Sequence, residues 1–184
     1  GRCIAETDPA GGVTIYTFDK AGAVTAITDK EGHTSTFTYD KMNRILSGLD
    51  PLGNTLTYTY DKNGNKLTET DAEGATITYE YDAMNRISAV TDAAGKKETY
   101  TYNGMDKQVS LTDRMGNTAT VTYDAVKQVV TSETDKEGNV TSYETDICGR
   151  ITKITYADGS SVSYTWDKLS RMTSATDQLG MVTK

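Results

Sequence analysis

Histidine, cysteine, proline and long apolar runs are all scarce in this chain, and each scarcity removes a class of function. His33 is the only histidine. It follows a turn glycine and has no partner at a defined spacing, so it reads as a solvated turn residue, and triad catalysis has no base to build on. The two cysteines, Cys3 and Cys148, stand far apart in sequence. That is too few for a disulfide framework and too widely spaced for a zinc site, so they read as unpaired thiols. No run of about 18 apolar residues exists to form a transmembrane helix. The opening residues, from Gly1 to Glu6, are neither a basic-then-apolar signal peptide nor a start at methionine. Positive charge is outweighed: 19 Lys and Arg against 26 Asp and Glu give a net charge of −7. With no Lys/Arg cluster to neutralise phosphates, nucleic acid and anionic membrane surfaces are disfavoured partners.

What the chain does have is 12 tyrosines, against 2 Phe and 1 Trp, with 16 glycines and abundant threonine. That is a palette for strands and turns. It is also periodic. The Asp after an aromatic-x-aromatic pair recurs at Asp19, Asp40, Asp61, Asp82, Asp124, Asp146 and Asp167, with Asn103 in the gap. Six of the seven steps are 21 residues and one is 22. Gly11, Gly32, Gly53, Gly74, Gly95, Gly116, Gly138, Gly159 and Gly180 keep the same period with the same single longer step. A fixed period of this length marks a repeat architecture.

Each repeat holds two turns. The first reads Asp-x-x-Gly, as in Asp29 to Gly32, Asp50 to Gly53, Asp71 to Gly74, Asp92 to Gly95 and Asp113 to Gly116. This is the chemistry of a type I turn ending in a left-handed residue, and Pro9 and Pro51 sit where a fixed φ helps. The second turn places Gly22, Asn43, Gly64, Asn85, Asp106 or Gly149 three residues after the column Asp or Asn. These types tolerate the left-handed region. Lys127 and Ser170 break that pattern, so their turns are expected to be less regular. The extra residue falls between Asp124 and Asp135, and a β-bulge near Val129, Val130 and Thr131 is expected to absorb it.

Six or seven residues separate the turns, a normal strand length. Between Ala75 and Tyr81, Ile77, Tyr79 and Tyr81 share one face, while Thr76, Thr78 and Glu80 share the other. Two aromatic columns result: Tyr16, Phe37, Tyr58, Tyr79, Tyr100, Tyr143, Tyr164, and Phe18, Tyr39, Tyr60, Tyr81, Tyr102, Tyr123, Trp166. Of the 15 aromatic residues only Tyr156 lies outside them, which no helical period can produce. A Thr column (Thr17, Thr38, Thr59, Thr101, Thr122, Thr165, with Glu80 and Glu144) runs between them, suited to a solvated face. The return strands begin at Arg2, Arg44, Arg86, Arg150 and Arg171, and Thr28, Thr70, Thr91 and their relatives close them, with Leu49 the exception.

The fold class is therefore all-β: tandem antiparallel hairpins of about 21 residues stacking side by side into a curved, spiralling ribbon. About 17 strands at roughly 4.8 Å spacing would run some 80 Å. The whole chain, 1–184, is expected to be a single array of about eight or nine repeats. It starts and stops inside a repeat without capping, as a piece cut from a longer array would. Uncapped edges lead us to expect edge-to-edge self-association, with further repeats of the same parent chain as natural neighbours.

The repeat resembles the YD-repeat, or Rhs-repeat, family. Tyr39-Asp40, Tyr60-Asp61, Tyr81-Asp82 and Tyr123-Asp124 match its defining dipeptide. So do Asn43-Arg44, Asn85-Arg86, Gly149-Arg150, Thr91-Asp92 and Asp50-Pro51-Leu52-Gly53. The resemblance covers the whole chain, with departures at Phe18, Thr145, Trp166, Asn103 and Tyr156. It implies a hairpin strip winding into a hollow shell that encapsulates a C-terminal toxin or effector, or into large extracellular barrels of adhesion receptors. It also implies a secreted or cell-surface location. The family's self-cleaving aspartyl protease segment and variable toxin have no counterpart in this sequence.

Two functional classes follow: a structural shell wall without chemistry, and a surface module binding carbohydrate or protein. The second needs a local break in the columns, and the candidates are the stretch near Val129 and the variant Tyr156. Catalytic, cofactor and metal residues are not expected. The many aspartates are explained as turn-formers rather than as a glycosidase pair. The loop from Asp61 to Asn65 lacks the spaced acidic ligands and closing Glu of a calcium loop. The turn glycines form no phosphate-binding loop.

Overall fold

The computed structural model describes residues 2–184. They form strands joined by short turns, and no helix occurs among them, so none is long and apolar enough to cross a membrane. The chain divides into two compact units, 1–96 and 97–184.

In the first unit, nine strands follow one another: β1 (Arg2–Thr7), β2 (Val13–Phe18), β3 (Val24–Thr28), β4 (Thr34–Tyr39), β5 (Ile45–Leu49), β6 (Thr55–Tyr60), β7 (Lys66–Thr70), β8 (Thr76–Tyr81) and β9 (Ile87–Thr91). Each pairs antiparallel with the next. The second unit repeats the plan with β10 (Lys97–Tyr102), β11 (Gln108–Thr112), β12 (Thr118–Tyr123), β13 (Val130–Thr134), β14 (Val140–Thr145), β15 (Ile151–Thr155), β16 (Ser161–Trp166), β17 (Met172–Thr176) and the two-residue β18 (Val182–Thr183).

The turn chemistry explains why the chain reverses where it does. In the first turn after β5, Gly53 sits at φ 90° and its N–H donates to the Asp50 carbonyl. The second turn after β4 puts Asn43 at φ 61°, a region its short polar side chain tolerates. Ser170 takes the same conformation at φ 62°, and its N–H reaches the Asp167 carbonyl at 3.1 Å. The turn at Ser170 is thus as regular as its neighbours, contrary to the expectation from sequence.

The extra residue also settles differently. Gln128, not Lys127, takes the left-handed position at φ 55°. Its N–H bonds the carbonyl of Asp124 four residues back, where every other turn closes over three. The insertion therefore enlarges the turn. A register shift does occur in this hairpin, between Thr122 and Tyr123 of the preceding strand, where Thr122 opposes Ser132 and Tyr123 opposes Val130, but it is not the insertion's doing. The same shift recurs at Thr38/Tyr39, Thr59/Tyr60 and Glu80/Tyr81, in hairpins of ordinary length. A bulge at each second-turn hairpin adds twist at a regular interval.

The sheets have little conventional core. Among the described residues only Ala23 and Ala89 are buried. The aromatic columns are half-buried, each ring lying against the row opposite: Tyr58 faces Glu69, Tyr79 faces Val90, Tyr100 faces Leu111 and Tyr143 faces Ile154. On the other face threonine and serine hydroxyls pair across strands. Thr38 meets Ser47 at 2.6 Å, Thr59 meets Thr68 at 2.6 Å, and Thr70 meets Thr76 at 2.8 Å. Each such pair satisfies two hydroxyls and fixes register.

Candidate functional site

The second turns carry the densest side-chain chemistry, and its logic starts at the repeated Asp. Asp40 accepts the N–H groups of Met42 and Arg44 on Oδ1, at 2.8 and 2.9 Å. Its Oδ2 accepts Nε and Nη2 of Arg44, both at 2.7 Å. One carboxylate thus closes the turn and grips the first residue of the return strand in a two-pronged pair. Asp82 with Arg86, and Asp146 with Arg150, repeat the arrangement. Asp61 does the same with Asn65, whose Nδ2 lies 2.9 Å from Oδ2. The N–H and guanidinium of Arg44 hold Asp40 below the usual carboxylate range, and the Arg86 guanidinium does so for Asp82.

The arginine also reaches the next repeat. Nη1 of Arg44 donates to the Asp61 carbonyl at 2.9 Å, and the guanidinium lies over the Tyr60 ring at 4.6 Å. Arg150 donates to the Asp167 carbonyl at 2.8 Å beside Trp166. Where arginine is missing, Lys127 reaches the Asp146 carbonyl at 2.8 Å, and Asn63 and Asn65 reach Asn85. Within each unit, successive turns are laced along this edge.

The tyrosine before the Asp has its own partner. Tyr39 Oη donates to the Val24 carbonyl at 2.8 Å, and Tyr81 Oη to the Lys66 carbonyl at 2.9 Å, each fifteen residues back. Trp166 makes the equivalent bond with its indole N–H to Ile151, at 2.8 Å, and Tyr123 a longer one to Gln108. Each of these four side chains thus ties its hairpin to the one before it.

The other repeat positions singled out from sequence take related places. Asp50, Asp71, Asp92 and Asp113 cap first turns, each accepting two backbone N–H groups. Gly53, Gly74, Gly95, Gly116, Gly138 and Gly159 stand at positive φ. Asp124 and Asp167 cap second turns. At the variant Tyr156 the backbone closes the turn unaided, and Asp158 accepts the Ser160 N–H in place of the missing Asp. These aspartates are spread along the turns one per reversal, and the fold does not gather them into a cluster.

Two polar placements escaped the sequence reading. Lys66 bonds Glu69 at 2.6 Å while lying over the rings of Tyr58 and Tyr79, 5.6 and 4.8 Å from their centroids. The Glu69 carboxylate holds its ammonium above the usual lysine range. Lys136 reaches across to Asp113 at 3.0 Å. The 21-residue spacing was the available signal for both, since it brings successive repeats side by side.

As for metals, Asp29, Glu31 and His33 each offer one ligand atom within 4.8 Å of the others. Asp29 Oδ1 already accepts two backbone N–H groups, and Oδ2 lies 3.1 Å from His33 Nδ1. A hollow of about 360 Å³ opens beside Gly48, walled by Phe37 and Leu56, where other repeats carry larger side chains. The expected breaks near Val129 and Tyr156 lie elsewhere.

The family described as RHS Repeat matches residues 1–34, 18–49, 39–76, 60–97 and 149–180. The chain belongs to the RHS repeat family. No curated protein matches the sequence. Among solved structures, TcdB2-TccC3-TEV is 17% identical, with a TM-score of 0.58 over 91% of this chain and 10% of that one. TcdB2-TccC3-Cdc42 is 15% identical, with a TM-score of 0.57 over 90% and 12%. The Photorhabdus luminescens Tc holotoxin pore gives 15% and 0.56 over the same shares. These likenesses establish the fold that RHS repeats share with Tc toxin components. The chain spans about a tenth of the length of those chains.

Proposed function

We propose that this chain is a wall segment of an RHS-repeat shell, in a secreted or surface-exposed protein whose repeats enclose a toxin or effector. The observation that carries the reading is the lacing along the second turns. Arg44 and Arg150 each spend their side chains on binding one repeat to the next rather than on a site. The carboxylates that could serve as acids or bases are likewise committed to capping turns. A laced hairpin strip suits a wall, because each repeat contacts its neighbours and the strip lengthens without a new core. The resemblance in fold to Tc toxin components supports the same role.

Limited proteolysis of the full-length protein carrying this segment tests enclosure. The expected result is that sequence following the repeats resists cleavage while the repeats are folded and becomes sensitive once urea unfolds them. Equal sensitivity in both conditions would overturn enclosure. The hollow beside Gly48 favours the second reading, a binding module, since it is apolar and flanked by an aromatic ring. A glycan array probed with this chain separates the two: saturable binding lost in Phe37→Ala supports a module.

A further inference from the structure

We propose that the aromatic face of the first unit docks a basic peptide in the extended, polyproline-type conformation, with an apolar side chain in each of two neighbouring hollows and a Lys or Arg between them on Asp71. The face involved runs from β4 to β8, strands that are each paired on both sides, so it does not depend on either edge of the sheet. A wall segment can carry such a groove or lack it, and failure of the proposal leaves the shell-wall reading where it stands.

The hollow beside Gly48 has a neighbour one repeat further on. Phe37, Gly48 and Leu56 wall the first, of about 360 Å³. Leu56, Ala75 and Ile77 wall the second, of about 280 Å³. Small residues open both: Gly48 stands where other repeats have Val90, Leu111 and Ile154, and Ala75 where they have Asn54 and Asn139. Ligand pockets start at about 300 Å³, so each hollow suits one apolar side chain rather than a whole small molecule.

Asp71 borders both hollows. Its Oδ1 accepts the N–H groups of Glu73 and Ala75, each at 2.9 Å. In sister turns the second oxygen is also taken, by Asn54 Nδ2 on Asp50 at 2.7 Å and by Asn139 Nδ2 on Asp135 at 2.9 Å. Ala75 has no side-chain donor, and among the described residues Asp71 Oδ2 has no partner. An open carboxylate oxygen between two apolar hollows fits a guanidinium or ammonium. The surroundings favour the same sign. Neither hollow is lined by Lys or Arg, and the bonds from Asn54 hold Asp50, at the far rim of the first, below the usual carboxylate range. Glu69, at the rim of the second, is already matched by Lys66, which leaves Asp71 as the carboxylate to be met.

Spacing selects the conformation. The two hollows lie two strands apart, roughly 9.6 Å at about 4.8 Å per strand. A polyproline helix rises about 3.1 Å per residue with three residues per turn, so its side chains recur on one side at about 9.3 Å. Residues i and i+3 therefore reach both hollows, and a residue between them presents its cation to Asp71. A β-strand repeats a face at about 6.8 Å and misses the second hollow. The polyproline form is also populated before binding, so ordering it costs little.

Fluorescence anisotropy on the whole chain tests this, with a fluorescein-labelled peptide Pro-Leu-Pro-Arg-Leu-Pro-Pro as probe. Saturable binding is expected, and should weaken at least tenfold when the peptide's Arg becomes Glu or when its two Leu residues are moved to i and i+2. Asp71→Asn keeps an oxygen for the two backbone N–H groups and removes the charge, and should weaken binding about tenfold. Gly48→Leu fills the first hollow with a side chain that Leu111 carries in its own repeat, and should weaken binding by at least as much while circular dichroism shows unchanged strand content. Asp135→Asn, in the second unit, should change it less than twofold. Absence of saturable binding overturns the proposal. So does equal affinity for the Glu or respaced peptide, wild-type affinity in both Asp71→Asn and Gly48→Leu, or displacement of the peptide by a neutral glycan, which would assign the hollows to sugar.

Discussion

The hydroxyl of Tyr39 donates to the carbonyl of Val24, 2.8 Å away and fifteen residues earlier in the chain. That bond joins the end of one hairpin to the start of the return strand before it, and Tyr81 repeats it on Lys66. It gives a physical reason for tyrosine rather than phenylalanine at this column. Trp166 keeps the bond with a different donor, while Phe18 can supply none. Replacing Tyr81 by Phe leaves ring packing intact and orphans the Lys66 carbonyl. The expected loss is about 1 kcal/mol of unfolding free energy, read from urea midpoints. Trp166→Phe should cost a similar amount, and Tyr164→Phe, which lies in the other aromatic column, less.

Arg44 differs from a generic cation in that it bonds three groups at once: the Asp40 carboxylate, the Asp61 carbonyl and the Tyr60 ring face. A lysine cannot hold the planar two-pronged pair and reach the next turn together. Arg44→Lys is therefore expected to lower the unfolding temperature by about 3 °C, and Arg44→Ala by more. Arg171 pairs with Asp167, but its side chain is 74% exposed, against 23% for Arg44. Arg171→Lys should shift the transition by less than half as much, which differential scanning calorimetry can resolve.

The Lys136 ammonium holds the Asp113 carboxylate down to about 2, from an ordinary value of 3.8, with help from the N–H groups of Met115 and Asn117. A carboxylate with a depressed pKa in the folded state binds its proton more weakly there than in the unfolded chain. Its contribution is fully present above about pH 4 and is lost as pH falls through about 2. Lys136→Met removes the largest cause. The variant should be less stable than the parent near neutrality, and the gap between their urea midpoints should close across that acid window. A gap that stays constant down to the lowest pH would show that the pair contributes nothing through ionisation.

Much of this fold was legible in the sequence because the chemistry of its turns is local. Asp-x-x-Gly dictates a reversal from four consecutive residues, and alternation places Tyr79 and Tyr81 on one face without any knowledge of neighbours. The parts that were not legible are those fixed between repeats. The register shift beside Tyr39, Tyr60 and Tyr81 leaves no mark on the composition of its own strand. The sandwiching of Lys66 between Tyr58 and Tyr79 requires three strands at once. Ser170 shows the opposite limit: a residue with weak intrinsic preference for positive φ is carried there by the hairpin around it.

Gly48 stands opposite Phe37 in a column where equivalent positions hold Val90, Leu111 and Ile154. A glycine inside a strand costs backbone entropy and leaves the ring without a partner. A Cβ built there lies 3.4 Å from the Phe37 ring, within ordinary contact. Gly48→Ala is therefore expected to stabilise the protein by roughly 0.5–1 kcal/mol in chemical denaturation. Destabilisation instead would mean that the hollow serves something other than packing, and would favour the binding-module reading.

The longer repeat step offers a test of where the chain stores its extra residue. Val126 is 90% exposed, and it lies inside the one turn that closes over four residues rather than three. Deleting it leaves Asp124 followed at the third position by Gln128 and at the fourth by Val129, which is the spacing of the other second turns. Gln128 already has positive φ and Lys127 remains available to reach the Asp146 carbonyl. The deletion should preserve strand content by circular dichroism and change stability by less than about 1 kcal/mol. Deleting Met84 removes a residue from a turn of ordinary length, and with it an N–H that Asp82 binds at 2.8 Å. That deletion should cost more than about 2 kcal/mol, because the Arg86 pair and the following register shift must both re-form around a shortened turn. If both deletions cost the same, the extra residue belongs to the strand pairing and not to the turn.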